Sequence, residues 1–183
     1  MRLVWAVREI TPKLLHDSTT LDPGFAMDPQ TLAVLRSSLT QLLASDVDLA
    51  AVFYARLFER APELRRLFKA DVTSQHKKLF AALAQVVIWA DHPLELTGYL
   101  LRMGERHVRY GTLPEHYDIV GDALVWALER TLGPDFTPAT RAAWTLAFSV
   151  VAQFMREGAL GVSSSQRSAA SPALLEPVGG LAR

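Results

Sequence analysis

Between Asp28 and Glu157, apolar residues recur three or four positions apart, and no stretch alternates with period two convincingly enough to read as a strand. The breaks between these runs predict the helix ends. Asp28-Pro29 pairs a capping carboxylate with proline at the first helical position and opens a helix to about Ala44. Ser45 or Asp46 is expected to cap the next, which runs to about Ala61. Pro62 starts a short helix through Phe68, and a long one fits Val72 to Ala90. Asp91-His92-Pro93 breaks that helix, and the next ends near Tyr110 and Gly111. Pro114 opens another, stopped by Gly133-Pro134, and Thr137-Pro138 starts a last helix to about Arg156. The chain therefore reads as all-α. The end, "GVSSSQRSAASPALLEPVGGLAR", offers little to bury. The expected organisation is an N-terminal extension over 1–26, a helical domain over 27–157 and a disordered tail over 158–183.

Three polar residues interrupt the apolar faces. Val72, Leu79, Leu83 and Val86 form one stripe, and Gln75 lies on it. Leu96, Leu100 and Met103 form another, continued four residues on by His107. Val47, Ala50 and Leu57 or Phe58 turn Tyr54 inward as well. Buried polar groups need partners, so three of them on three successive helices point to a shared polar spot inside an apolar pocket. A single inward histidine is nevertheless more often a core residue bonded to a carbonyl than a ligand. Spacing alone stops at a helical protein with an internal polar pocket. His16, His76, His92 and His116 fall in loops, at a helix start or on outer faces, and are expected to be solvated.

Composition removes several alternatives. Nineteen basic residues balance nineteen acidic ones and no basic stripe stands out, which argues against nucleic acid and a membrane surface as partners. No cysteine is present, so thiolate nucleophiles, disulfides and iron–sulfur ligation are excluded. There is no phosphate-binding glycine loop, no HExxH and no pair of histidines four apart. The start "MRLVWAVREI" is too short for a signal-peptide core and no run reaches the ~20 apolar residues of a membrane span, so a cytoplasmic protein is the default expectation.

Four stretches, "FYARLFERAPELRRLF", "SQHKKLFAAL", "GERHVRYGTLPEHYDIVGDALVWAL" and "TPATRAAWTLAF", occur in the order found in globins. Over about Asp28 to Met155 the chain resembles bacterial haemoglobins and the haem domain of flavohaemoglobins. The resemblance implies a globin fold, helices A to H with a very short or absent D helix, sandwiching a haem b (iron protoporphyrin IX). Carried over residue by residue, His107 falls on the proximal histidine that binds iron, Gln75 on the distal position of the E helix and Tyr54 on the distal tyrosine of the B helix. Phe68 matches the phenylalanine that wedges the porphyrin, Leu79 the apolar residue one turn after Gln75, and Tyr117 the tyrosine that bonds near the proximal histidine. The family's proximal glutamate has no match, because its ungapped position is Gly161 and Glu157 lies one turn earlier. His76 would face the iron only if its helix were rotated by one residue, with Phe80 instead of Leu79 following it.

The function implied is reversible binding of O2, and of NO and CO, with Tyr54 and Gln75 as hydrogen-bond donors in the distal pocket. The alternative is nitric oxide dioxygenation, which would need a separate reductase because no flavin or nicotinamide domain fits in the sequence. A haem-based gas sensor is a third class.

Overall fold

A computed structural model of the chain describes residues 27–68 and 72–169, with side chains described for 27–68 and 76–161. The expected extension over 1–26 and residues 170–183 of the expected tail lie outside the described residues. Six α-helices follow in order: α1 Pro29–Ala44, α2 Leu49–Arg60, α3 Val72–Ile88, α4 Pro93–Arg109, α5 His116–Leu132 and α6 Pro138–Ala169. Short 3₁₀ turns at Pro62–Leu67 and Gly133–Asp135 link α2 to α3 and α5 to α6. No strand occurs among the described residues. The 3₁₀ turn ends at Leu67 and α3 begins at Val72, and among the described residues no separate D helix lies between them.

The starts follow local chemistry. Asp28 accepts from the backbone N–H groups of Gln30 (2.9 Å) and Thr31 (3.0 Å), and Pro29 occupies the position whose N–H needs no partner. The cap of α2 is Asp48, not the expected Ser45 or Asp46. Ser45 instead closes α1, its N–H reaching the Leu42 carbonyl at 3.3 Å, while its hydroxyl accepts from Val47 N–H at 3.1 Å. Asp48 is thus the first residue free to turn its carboxylate onto Ala50 and Ala51. Val47, placed on the inward face by spacing, precedes the helix and is exposed. α5 starts at His116 and not at Pro114, because the Pro114 segment forms a turn whose Leu113 N–H donates to His116 Nδ1 (3.1 Å). The last helix does not stop near Arg156 but runs to Ala169, so the first part of the expected disordered tail is helical.

One core unites the helices, from Leu35 and Leu42 on α1 to Trp144 and Met155 on α6. α4 packs along α6, α2 along α5, and α1 across α6, while α3 rests on α1 and α2. The consecutive helices α3 and α4 therefore take different partners instead of packing along each other. Between α1 and α6, the buried Trp144 indole donates from Nε1 to the Ser38 hydroxyl (2.9 Å), which itself donates to the Val34 carbonyl (2.8 Å). Ser38→Ala would leave that indole N–H buried and unpaired. It is expected to cost about 1–3 kcal/mol, measurable as a lower midpoint in urea unfolding with unchanged slope.

Candidate haem site

One half of the candidate site is built on α2 and α3. Tyr54 is half-buried in an aromatic cluster, with ring centroids 4.9 Å from Phe53, 5.8 Å from Phe58 and 5.4 Å from Phe68. Burial among these rings pushes its phenol up to about 12, so it stays protonated and able to donate. Phe68 also meets Phe58 edge-on at 5.5 Å, which holds it at the end of the 3₁₀ turn. Leu79 and Phe80 are both half-buried against the core, with Leu83 and Val86 buried beyond them. Gln75 lies in the first turn of α3, and its side chain is outside the described residues.

His76 departs from expectation. Instead of pointing into solvent, its ring lies nearly parallel to that of Tyr54, 5.8 Å away at 11°. Its Nδ1 donates to Asp48 Oδ2 at 2.9 Å, and its side chain is 21% exposed. Its Nε2 is buried without a hydrogen-bond partner among the described residues. Residues 76, 80, 83 and 87 share one helical edge and 79, 83 and 86 the adjacent one, and along both the described side chains are buried or half-buried.

The other half is built on α4 and α5. Leu96 and Leu100 are fully buried on the stripe that leads to His107, and Met103 is half-buried, as spacing predicts. Gly111, with φ +84°, reverses the chain just beyond α4, and the Thr112 N–H returns to the His107 carbonyl at 3.0 Å. The His107 Nδ1 donates to the Met103 carbonyl at 2.8 Å. A carbonyl can only accept, so this bond selects the tautomer whose Nε2 carries a lone pair. Burial lowers the imidazole's affinity for a second proton; the Met103 bond opposes this and the Arg106 charge reinforces it. A half-buried, neutral imidazole with its Nε2 lone pair available is the form that binds a metal. Its ring neighbour is Tyr110, at 5.9 Å.

Tyr117 is buried in the first turn of α5, with its phenol pushed up by burial against a smaller opposing effect of Arg156. The Arg156 guanidinium lies over its ring at 5.4 Å and is held by Asp118 Oδ1 (2.6 Å) and the Pro114 carbonyl (3.2 Å). Glu157 points elsewhere, is exposed and accepts from Gln153 at 3.1 Å. Spacing had no means of finding Arg156 or Asp48, which look like solvated surface charges until the helices are packed.

The structure thus brings Tyr54 into ring contact with Phe68 and with His76, and carries His107 and Tyr117 on α4 and α5. Although α2 packs along α5, α3 and α4 do not pack along each other, which is the arrangement needed to admit a flat group between those two helices. An all-helical fold carrying a neutral imidazole with its Nε2 lone pair available, and an aromatic cluster on neighbouring helices, has the residue types of the helical haem proteins. The globin family model matches residues 51–155, and the chain belongs to the globin family.

Relatives agree over the same region. The flavohemoprotein of Deinococcus radiodurans is 32% identical over 132 residues, covering 70% of this chain and 33% of that protein. The flavohemoprotein of Vibrio cholerae is 34% identical over 139 residues, covering 73% and 35%. The chain spans about a third of the length of these curated relatives. Among solved structures, an engineered carbene transferase from Rhodothermus marinus, its parent described as an inferred nitric oxide dioxygenase, matches with TM-score 0.69 and 31% identity, covering 77% of this chain and 99% of that one. A bacterial globin from Campylobacter jejuni shares the fold, with TM-score 0.65, 22% identity and coverage of 75% and 99%. No described helix is long and apolar enough to cross a membrane.

Proposed function

We propose that this globin binds O2 reversibly, and NO and CO at the same place, on a haem b ligated by His107. The observation that carries this reading is the His107 bond to the Met103 carbonyl, which prepares Nε2 for iron. Bound haem supplies the iron at which a diatomic ligand sits; the chain supplies everything that tunes it. Phe68 and Leu79 line the porphyrin, and Tyr117 stands behind the proximal imidazole. Tyr54, kept protonated by its aromatic surroundings, donates a hydrogen bond to the ligand, with the Gln75 amide as the second donor. The test is the visible spectrum of purified protein in ferric, dithionite-reduced and CO-loaded forms. A Soret band that moves on reduction and again on CO supports the reading, and a protein that stays colourless after haem is supplied removes it.

The Tyr54 role has its own test. Tyr54→Phe keeps the ring packing and removes one hydrogen bond to a polarised ligand, so O2 release should speed up on the order of tenfold, for a loss near 1.4 kcal/mol. Stopped-flow O2 release checks it, and an unchanged rate would show that another group holds the ligand.

Nitric oxide dioxygenation is the second reading, favoured by the similarity to flavohemoproteins over the globin part. In it the residues that hold the haem would be the same, Tyr54 and Gln75 would orient O2 for reaction with NO, and a separate reductase would supply the electrons. NADH-dependent NO loss with added flavin reductase, absent without the globin, distinguishes it from simple carriage.

A further inference from the structure

We infer that Asp48 and His76 are positioning residues for Tyr54, a tethered pair that sets how tightly the pocket holds a diatomic ligand; the inference rests on the distal role proposed for Tyr54. Three neighbours of the Tyr54 ring are phenylalanines, Phe53, Phe58 and Phe68, which pack against it without fixing its position through any polar bond. The fourth is the imidazole of His76, nearly parallel at 5.8 Å. An aliphatic side chain could fill that space, but it could not be tethered. His76 is tethered through Nδ1 to Asp48 Oδ2, 2.9 Å away, which fixes both its ring plane and its tautomer.

The tether is anchored on the helix it serves. Asp48 Oδ1 accepts from Ala50 N–H (3.0 Å) and Ala51 N–H (3.1 Å) and so caps α2, the helix that carries Tyr54. One carboxylate therefore locks the start of α2 to α3 and presents the imidazole to Tyr54 from the facing helix. As a stabilising contact, a half-exposed pair of this kind is worth little. The arrangement also leaves His76 Nε2 buried without a partner, which is a cost to the fold. Native structures retain few such groups, and each calls for an explanation such as a functional role. Positioning the distal hydroxyl supplies that role here.

The test is a double-mutant cycle on the haem-loaded protein, read by the O2 release rate and by the C–O stretching frequency of the CO form, which senses polar groups beside the ligand. His76→Leu should speed release about 3- to 10-fold and shift the C–O frequency in the same direction as Tyr54→Phe. In a Tyr54→Phe background the same change should do almost nothing, because its effect passes through the tyrosine. Asp48→Asn keeps an oxygen to cap α2 but replaces the acceptor of the tether, and it should reproduce most of the His76→Leu effect with the helix intact. In haem-free protein, nitrogen NMR of the His76 ring should show the proton on Nδ1, and a proton on Nε2 instead would overturn the tether.

Additive effects of His76→Leu and Tyr54→Phe, or a silent His76→Leu beside an active Tyr54→Phe, would remove the inference and leave the proposed function standing. A silent Tyr54→Phe would remove both the distal role and the inference. A low-spin six-coordinate ferrous spectrum that becomes five-coordinate in His76→Leu would make the imidazole an iron ligand and overturn the positioning role.

Discussion

His107→Ala is expected to weaken haem binding by more than about 100-fold, since removing even a group that supports a metal ligand typically costs 10- to 100-fold. The ligand itself contributes more than its support. The imidazole is half-buried near the end of α4, outside the set of fully buried side chains that hold the helices together, so the haem-free protein should keep its helical circular dichroism. Titrating haem into wild-type and mutant apoprotein measures the loss directly. Added imidazole tests the role more narrowly, because a free ring entering the vacated space should restore the ligated spectrum without restoring the covalent link. Equal haem retention and an identical CO spectrum in the mutant would show that iron is held elsewhere on the chain.

The residues that end helices by chemistry were the most legible part of the fold. Asp28-Pro29, Asp91-His92-Pro93 and Thr137-Pro138 each combine a residue that ends or caps a helix with one that must begin it, and each falls at a real boundary. Sequence reading misplaces the α2 cap at Ser45 or Asp46 because both are capping types, whereas Ser45 closes α1 and the helix begins only at Leu49, after Asp48. The length of α6 was illegible for a different reason. Beyond Arg156 it presents little to bury, with Leu160 63% exposed, so periodicity gives no signal there even though the backbone stays helical.

The candidate site divides in the same way. Leu96, Leu100 and Met103 lead to His107 on one clear stripe, and His107 is half-buried at its end. On α3 the two edges that begin at Gln75 and at His76 converge on Leu83, and periodicity cannot say which edge meets α2. That choice depends on Asp48 and Tyr54, residues that come together with α3 only when α2 and α3 pack. Arg156 shows the limit most plainly: its place over Tyr117 rests on Asp118 and the Pro114 carbonyl, which lie far from it in sequence.

Gly104→Ala should destabilise the protein by about 1–3 kcal/mol or more and loosen haem binding as well, a larger effect than a one-methyl change usually has. A Cβ on Gly104 would stand 2.8 Å from the carbonyl carbon of Met155 and overlap its oxygen. Backbone cannot swing aside as a side chain can, so α4 would have to move away from α6. The contact is reciprocal: a Cβ on Gly158 would stand 2.8 Å from the carbonyl carbon of Leu101 and overlap that oxygen too. Each helix thus lays a glycine on the other's backbone, and the pair sets the closest approach of the most extensive helix contact in the fold. His107 follows Gly104 by one turn on α4, so any retreat of the helix carries the imidazole with it. Gly161→Ala supplies the control on the same helix α6, because among the described residues nothing lies within 4 Å of the added Cβ. There alanine should stabilise by about 0.5–1 kcal/mol through its better helix propensity. Urea unfolding of the three variants, with haem titration alongside, reads both effects. Stabilisation at Gly104 equal to that at Gly161 would mean that the helices do not approach through these glycines, and the link from crossing to imidazole would fail with it.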